Sequence, residues 1–206
     1  YIMKKLLLLT FALFAFNACS DDDDPAPAPV PVDPVSETIN VTGMLSGANT
    51  WTSNNTYILN QKVVVDAGAT LTIEAGTVIK GSAGAGSLAS ALVVARGGQI
   101  FANGTADAPI IMTSVADNLD GNLDPSSPDT QGLWGGLLVL GNAPCSFEGD
   151  VVEAQIEGIP ADDTFGLYGG NDPSDNSGVI TYVSVRHGGA VIGENNEING
   201  ITLGGV

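Results

Sequence analysis

Between Val63 and Ile100, apolar residues alternate with others at a period of two, and each short run closes on a glycine. Three copies stand out: Val63-Val64-Val65-Asp66-Ala67-Gly68, Leu71-Thr72-Ile73-Glu74-Ala75-Gly76 and Leu92-Val93-Val94-Ala95-Arg96-Gly97. Three positions past each glycine stands another apolar residue, Leu71, Ile79 or Ile100. A period of two lines one face of a strand, whereas a helix needs apolar positions every three or four residues. Glycine at the end of each run permits the positive φ of a tight turn. The copies are offset by 8 and then 21 residues, and the 21-residue shift lays Leu71 on Leu92, Ile73 on Val94, Gly76 on Gly97 and Ile79 on Ile100. A fixed shift of this size is the signature of a coiled repeat. The pattern predicts an all-β chain, a right-handed parallel β-helix built as a solenoid of rungs of about 20 residues, with strands about 4.8 Å apart. In it Leu71 lies under Leu92 and Ile79 under Ile100.

Ile39–Gly43 and Trp51–Asn60 are expected to be the first strands, with Gly47-Ala48-Asn49 as the turn between them and Gly81–Gly86 as a later corner. Strands resume at Trp134–Gly141 and Val179–Gly189, and Gly200–Val206 repeats the latter, Val183 overlaying Ile201 at a shift of 18. The last rung is cut short, which would leave an open edge. The β-helix domain, residues 39–206, is therefore expected to be truncated at its C-terminal end.

Two polar stretches interrupt the pattern. Ala116–Gln131 places Asp117, Asp120, Asn122 and Asp124 around Gly121, a crowd of oxygen donors that suits a hard cation and makes this a candidate calcium loop without the bidentate Glu of an EF-hand. Asp162–Gly178 carries Asp163, Asn171, Asp172 and Asp175 with Tyr168. Trp51, Trp134 and Tyr168 are the candidate aromatic platforms for a sugar, although packing at the entry to the coil suits Trp51 better. Cys145 is expected to be a small buried residue.

Ala102-Asn103-Gly104-Thr105 followed by Pro109-Ile110-Ile111-Met112-Thr113-Ser114 resembles a turn and strand of right-handed parallel β-helix proteins in the pectin-lyase-like superfamily. More narrowly, the run from Ala69 to Gly81, with Trp134-Gly135-Gly136-Leu137, Tyr168-Gly169-Gly170, Asp175-Asn176-Ser177-Gly178 and Asn196-Glu197-Ile198-Asn199-Gly200, resembles a family of Bacteroidota surface lipoproteins, over residues 39–206. That family implies a place on the cell surface and carries no activity that transfers to individual residues.

The amino end agrees. Lys4 and Lys5 precede an apolar core from Leu6 to Phe16, too short to span a bilayer, so residues 1–18 read as a signal peptide. Phe16-Asn17-Ala18-Cys19 resembles a bacterial lipobox, which implies lipidation of Cys19 by fatty acyl chains such as palmitate and a partner in the outer-membrane lipid. Ser20-Asp21-Asp22-Asp23-Asp24 resembles the acidic export signal that carries lipoproteins of Bacteroidota to the outer face of the outer membrane. The remainder of residues 19–38 is a Pro-rich tether, extended at about 3.1 Å per residue. Past residue 18 the chain holds 23 acidic residues against Lys62, Lys80, Arg96 and Arg186, a formal charge of −19. Nucleic acid is excluded as a partner, since phosphate binding needs clustered cations.

The superfamily resemblance implies polysaccharide chemistry, for which enzymes of this fold set aspartates beside a His or a basic residue on neighbouring rungs. Here the one histidine, His187, follows Arg186, and the alternation of a strand turns the two to opposite sides. No catalytic constellation is complete. The expected function is a lipid-anchored surface module, presenting a rigid β-helix that binds glycan or protein in adhesion. The alternative is a surface polysaccharide lyase or glycoside hydrolase with its catalytic rungs beyond this chain. Calcium is the one cofactor candidate.

Overall fold

The computed structural model describes residues 36–124, 126–194 and 196–206, so the signal peptide, Cys19, the acidic run 20–24 and most of the tether lie outside the described residues. The described part is a parallel β-helix with three faces.

The first coil is β1 (Thr38–Leu45) and β2 (Ala48–Trp51). The second is β3 (Thr56–Val65) and β4 (Thr70–Ile73), and the third is β5 (Val78–Gly81), β6 (Ala91–Val94) and β7 (Gln99–Asn103). Next come β8 (Ile110–Ser114) and β9 (Gly136–Leu140), then a small antiparallel hairpin of β10 (Ala154–Gln155) and β11 (Leu167–Tyr168). The chain rejoins the stack through β12 (Gly178–Thr181) and β13 (Val183–Val185), makes a second hairpin of β14 (Val191–Gly193) and β15 (Asn196–Glu197), and ends in β16 (Ile201–Gly204).

Parallel pairing sorts these strands into three stacks. On the first face, the leading halves of β1 and β3 stack with β5, β8 and β13. On the second, the trailing halves of β1 and β3 stack with β6, β9 and β16. The third face stacks β2, β4, β7 and β12. The turn expected at Gly47-Ala48-Asn49 is shorter than that, because Ala48 and Asn49 already pair with Thr70 and Leu71 in β2.

The 21-residue overlay does not describe the stacking. Leu71 pairs with Ile100 on the third face, whereas Leu92 pairs with Val63 on the second. The true coil step here is 29 residues, carrying Val63 onto Leu92, Val65 onto Val94 and Leu71 onto Ile100. The glycine motif marks a corner between faces, Gly68 and Gly97 between the second and third and Gly76 between the third and the first, so it recurs within a coil and not once per coil. An 8-residue step moves from the second face to the third, and 29 less 8 is the 21 seen in the sequence. The equivalent corner glycines are Gly68 (φ 76°) and Gly97 (φ 79°), where Gly68 N–H donates to the Gly97 carbonyl at 2.8 Å. Val183 and Ile201 likewise sit on different faces, pairing with Ile110 and Leu137.

Inside the coil the inward positions form one core, with Leu59, Val63, Leu71, Ile79, Leu92, Ile100, Ile110 and Leu137 all at 0–1% exposure. The second face is also covered from outside. Val64, Ala91, Val93, Leu138 and Leu140 point away from the coil yet are buried under Ile159, Ala190 and Ile198, with Ile156, Phe165 and Tyr168 packed alongside. A sheet buried on both sides should read as unbroken apolar sequence, as Ala91–Val94 and Gly136–Leu140 do. The long segment 142–177 is thus, in part, a plate over this face. At about 25 cal/mol per Å² of buried apolar surface, this second core adds materially to the stability of an otherwise thin coil.

Candidate functional site

The most concentrated chemistry lies where the 116–131 loop meets the first face. Lys80 and Thr113 are direct neighbours in the ladder, and Arg186 N–H donates to the Met112 carbonyl one coil on, at 2.9 Å. β8 thereby hands the chain into the loop beside two cations. Asp117, the second residue of that loop's polar run, folds back and is 4% exposed. Its Oδ2 accepts from Thr113 Oγ1 at 2.8 Å and its Oδ1 from the Leu119 N–H at 2.8 Å. The Lys80 ammonium donates to the Asp117 carbonyl at 2.6 Å. Arg186 Nη1 stands 4.0 Å and His187 Nε2 3.9 Å from Asp117 Oδ2.

Burial pushes the Asp117 carboxyl upward, but the hydrogen bonds from Thr113 and Leu119 and the charges of His187 and Arg186 outweigh it, holding the group below the ordinary carboxylate range. A buried carboxylate without such partners would cost several kcal/mol. Around it, Arg186 Nε donates to Ser184 Oγ at 3.0 Å, Trp134 Nε1 donates to the Arg186 carbonyl at 2.7 Å, and His187 Nδ1 lies 2.8 Å from the Thr130 carbonyl.

Strand alternation implied that Arg186 and His187 point apart. They do not, because β13 ends at Val185 and His187 takes a left-handed backbone with φ 58°, which swings its ring back toward Asp117. For a non-glycine residue this conformation is strained and is held by the surrounding contacts.

The same geometry shows where the candidate calcium quartet lies. Asp117 is turned into the protein, while Asp120 accepts from the N–H and side-chain amide of its neighbour Asn122 at 2.9 and 2.7 Å. Asp124 binds the N–H and hydroxyl of Ser126 at 2.9 and 2.7 Å, which lowers its pKa from the ordinary value. Each carboxylate closes its own local turn, and among the described residues no three acidic, His or Cys groups converge as a metal site. Asp163 and Asp175 are also engaged: Asp163 binds Lys62 and caps the Phe165 N–H at 3.0 Å, and Asp175 accepts from the Asn142 N–H at 2.9 Å and from Ser177 Oγ at 3.0 Å. Burial pulls the Lys62 ammonium below the usual lysine range although the Asp163 carboxylate sits against it.

Both candidate tryptophans are buried. Trp134 is 0% exposed, packed where a Cβ on Gly81 would come within 2.6 Å of it, and Trp51 is 4% exposed and stacked on Tyr57 at 4.8 Å between ring centroids. Tyr168 is half-buried, edge-on to Phe147 at 5.6 Å. Cys145, expected inside, is also only half-buried.

The third face carries a ring that sequence reasoning passed over. Phe101 points outward from β7, half-exposed, in the row Thr50–Thr72–Phe101–Val179 that crosses four coils. Its signal was present, since Phe101 falls between the inward Ile100 and Ala102. An outward aromatic amid threonines offers a flat apolar face beside hydroxyl partners.

Searches among curated proteins and solved structures return no match. A family model described as "Pectate-lyase like beta helix domain" matches residues 43–206, which is most of the chain and all but the first strand turn of the solenoid. With three stacks of parallel strands and this match over the same residues, the chain belongs to the pectate-lyase-like β-helix domain family.

Proposed function

We propose that this protein is a lipoprotein of the bacterial outer membrane, anchored through acylated Cys19 and facing outward, whose β-helix binds glycan and does not cleave it. A pectate-lyase-like β-helix fits a carbohydrate-related module. The observation that carries binding over cleavage is the engagement of the helix's cations. Lys62 is paired with Asp163, Arg96 with Glu153 at 2.6 Å, and Lys80, Arg186 and His187 close on Asp117. A general base or acid must reach the substrate proton, and these groups reach protein oxygens. The outward row through Phe101 supplies the alternative use of the surface, stacking on the apolar face of a pyranose with Thr50 and Thr72 beside it.

A panel of acidic and neutral polysaccharides, tested both for retention and for release of unsaturated or reducing ends, separates these activities. Retention without new ends is expected, with Phe101→Ala weakening it roughly three- to tenfold, the worth of one aromatic contact. Product formation that Arg186→Ala abolishes would overturn the binding reading in favour of a lyase. For the anchor, labelling with a fatty-acid probe is expected in the wild type and lost in Cys19→Ala. Replacing Asp21–Asp24 with alanine should leave the anchored protein protected from external protease.

A further inference from the structure

We infer that the third face of the coil is a platform for uncharged polysaccharide that turns acidic polysaccharide away. This rests on the glycan-binding reading and names the class of glycan. β2, β4, β7 and β12 contain no charged residue. Their outward positions form the row Thr50–Thr72–Phe101–Val179, flanked by Thr70 and Gln99 on one side and by Asn103 and Thr181 on the other. Thr50, Asn103, Val179 and Thr181 are exposed and the others half-buried. With coils about 4.8 Å apart, the row runs about 14 Å, which suits the side of a chain and not its end. A phenyl face meets the C–H side of a sugar ring, while hydroxyls and amides donate to and accept from its hydroxyls.

The other two faces differ. On the first, Lys80 from β5 and Arg186 just past β13 close on Asp117. On the second, the outward positions lie beneath the apolar cover of Ile159, Ala190 and Ile198. Among the described residues, the third is the sheet face that is both open and uncharged. Its rims are acidic: Asp66 stands between β3 and β4, Glu74 between β4 and β5, and Asp107 between β7 and β8. Glu74 is fixed in place, its Oε2 accepting from the Ser53 N–H at 3.0 Å. Arg96, the cation at the corner before β7, is held by Glu153 at 2.6 Å and by the Gly169 carbonyl at 3.0 Å. The whole chain carries a formal charge of −17. A uronate chain laid along the row would bring its carboxylates against these rims, and like charges so placed oppose binding. A neutral chain meets no such repulsion. The same net charge opposes the pairing of this face with a second copy.

The test passes the whole chain over beads carrying galactomannan or xyloglucan as neutral probes and polygalacturonate or alginate as acidic ones. Sodium chloride is set at about 20 or about 500 mM, where charges act over about 20 Å or about 4 Å. At low salt the neutral beads are expected to retain the protein at least about tenfold more tightly, and high salt should narrow that gap by relieving repulsion from the acidic beads. Thr72→Glu sets a carboxylate in the row beside Phe101 and should cut neutral retention about tenfold, because the bound chain would strip its water. Glu74→Gln with Asp107→Asn removes rim charge and should narrow the low-salt gap to about threefold. Melting curves establish that each variant folds, and Phe101→Ala replaces Thr72→Glu if that protein does not. Acidic retention equal to or above neutral at low salt would overturn the selectivity and leave glycan binding standing. Neutral retention that survives in the folded row variant would overturn the platform and place the glycan elsewhere on the protein. Retention on no bead at either salt would overturn the glycan-binding reading itself, and a wild-type dimer that Thr72→Glu dissociates would assign the face to a second copy instead.

Discussion

Trp134→Phe tests whether this side chain is a structural pin or a surface platform. The indole is fully buried in the coil, and its Nε1 is the donor to the Arg186 carbonyl at 2.7 Å. Phenylalanine keeps most of the apolar contact but removes that donor, which strands a part-buried carbonyl at about 1–3 kcal/mol. The missing ring atoms leave a small cavity at about 1 kcal/mol more. The total, about 3 kcal/mol, corresponds to a fall in Tm of roughly 6–12 °C for a domain of this size. Thermal unfolding followed by circular dichroism measures it directly, and the remaining Trp51 reports the same transition by fluorescence. The reverse perturbation is Gly81→Ala, whose new methyl would meet Trp134 Cβ and Cε3 at 2.6 Å and Ser90 Oγ at 2.7 Å. Overpacking of this kind should cost about 1–3 kcal/mol. A Trp134→Phe protein melting within about 1 °C of the wild type would refute the pinning role.

The stacking register is checked by cross-linking: Thr72→Cys with Phe101→Cys joins Cα partners on the outer third face and should oxidise readily, whereas Thr72→Cys with Val93→Cys, paired by the 21-residue shift, should not. For Asp117 the folded pKa is depressed, so its contribution to stability is fully present above the unfolded carboxylate value near 4 and is lost as pH falls through the folded pKa; urea midpoints should decline below about pH 4 in the wild type and less so in Asp117→Asn. With the loop aspartates closing local turns, calcium, magnesium and sodium chloride at matched ionic strength should shift Tm equally, and a shift specific to calcium would assign the loop as a metal site.

Strand periodicity, corner glycines and the unbroken apolar runs are properties of neighbouring residues, and the amino-acid sequence alone determined them. Leu71 and Ile73 point inward because period two and burial leave no alternative, and an all-β coil follows from many such runs joined by glycine turns. Stacking is different. Which strand lies on which depends on how much chain separates successive visits to one face, and the first-face steps of 18, 22 and 33 residues from Thr38 to Thr56, Val78 and Ile111 vary with the inserted loops. A corner motif that recurs at more than one kind of corner carries no label for the coil. The site depended even more on long-range structure: Asp117 meets His187 70 residues later only because β8 and β13 are neighbours, and both Arg186 and His187 reach it only because one left-handed residue breaks the strand's alternation. Trp134 is buried, not displayed, because Gly81 on the adjacent coil leaves room for an indole, whereas Phe101 is displayed because its place between two inward residues turns it to solvent. Composition marks a residue as aromatic or acidic, but the side of the sheet on which it falls, and what lies across from it, is set by the stacking of coils.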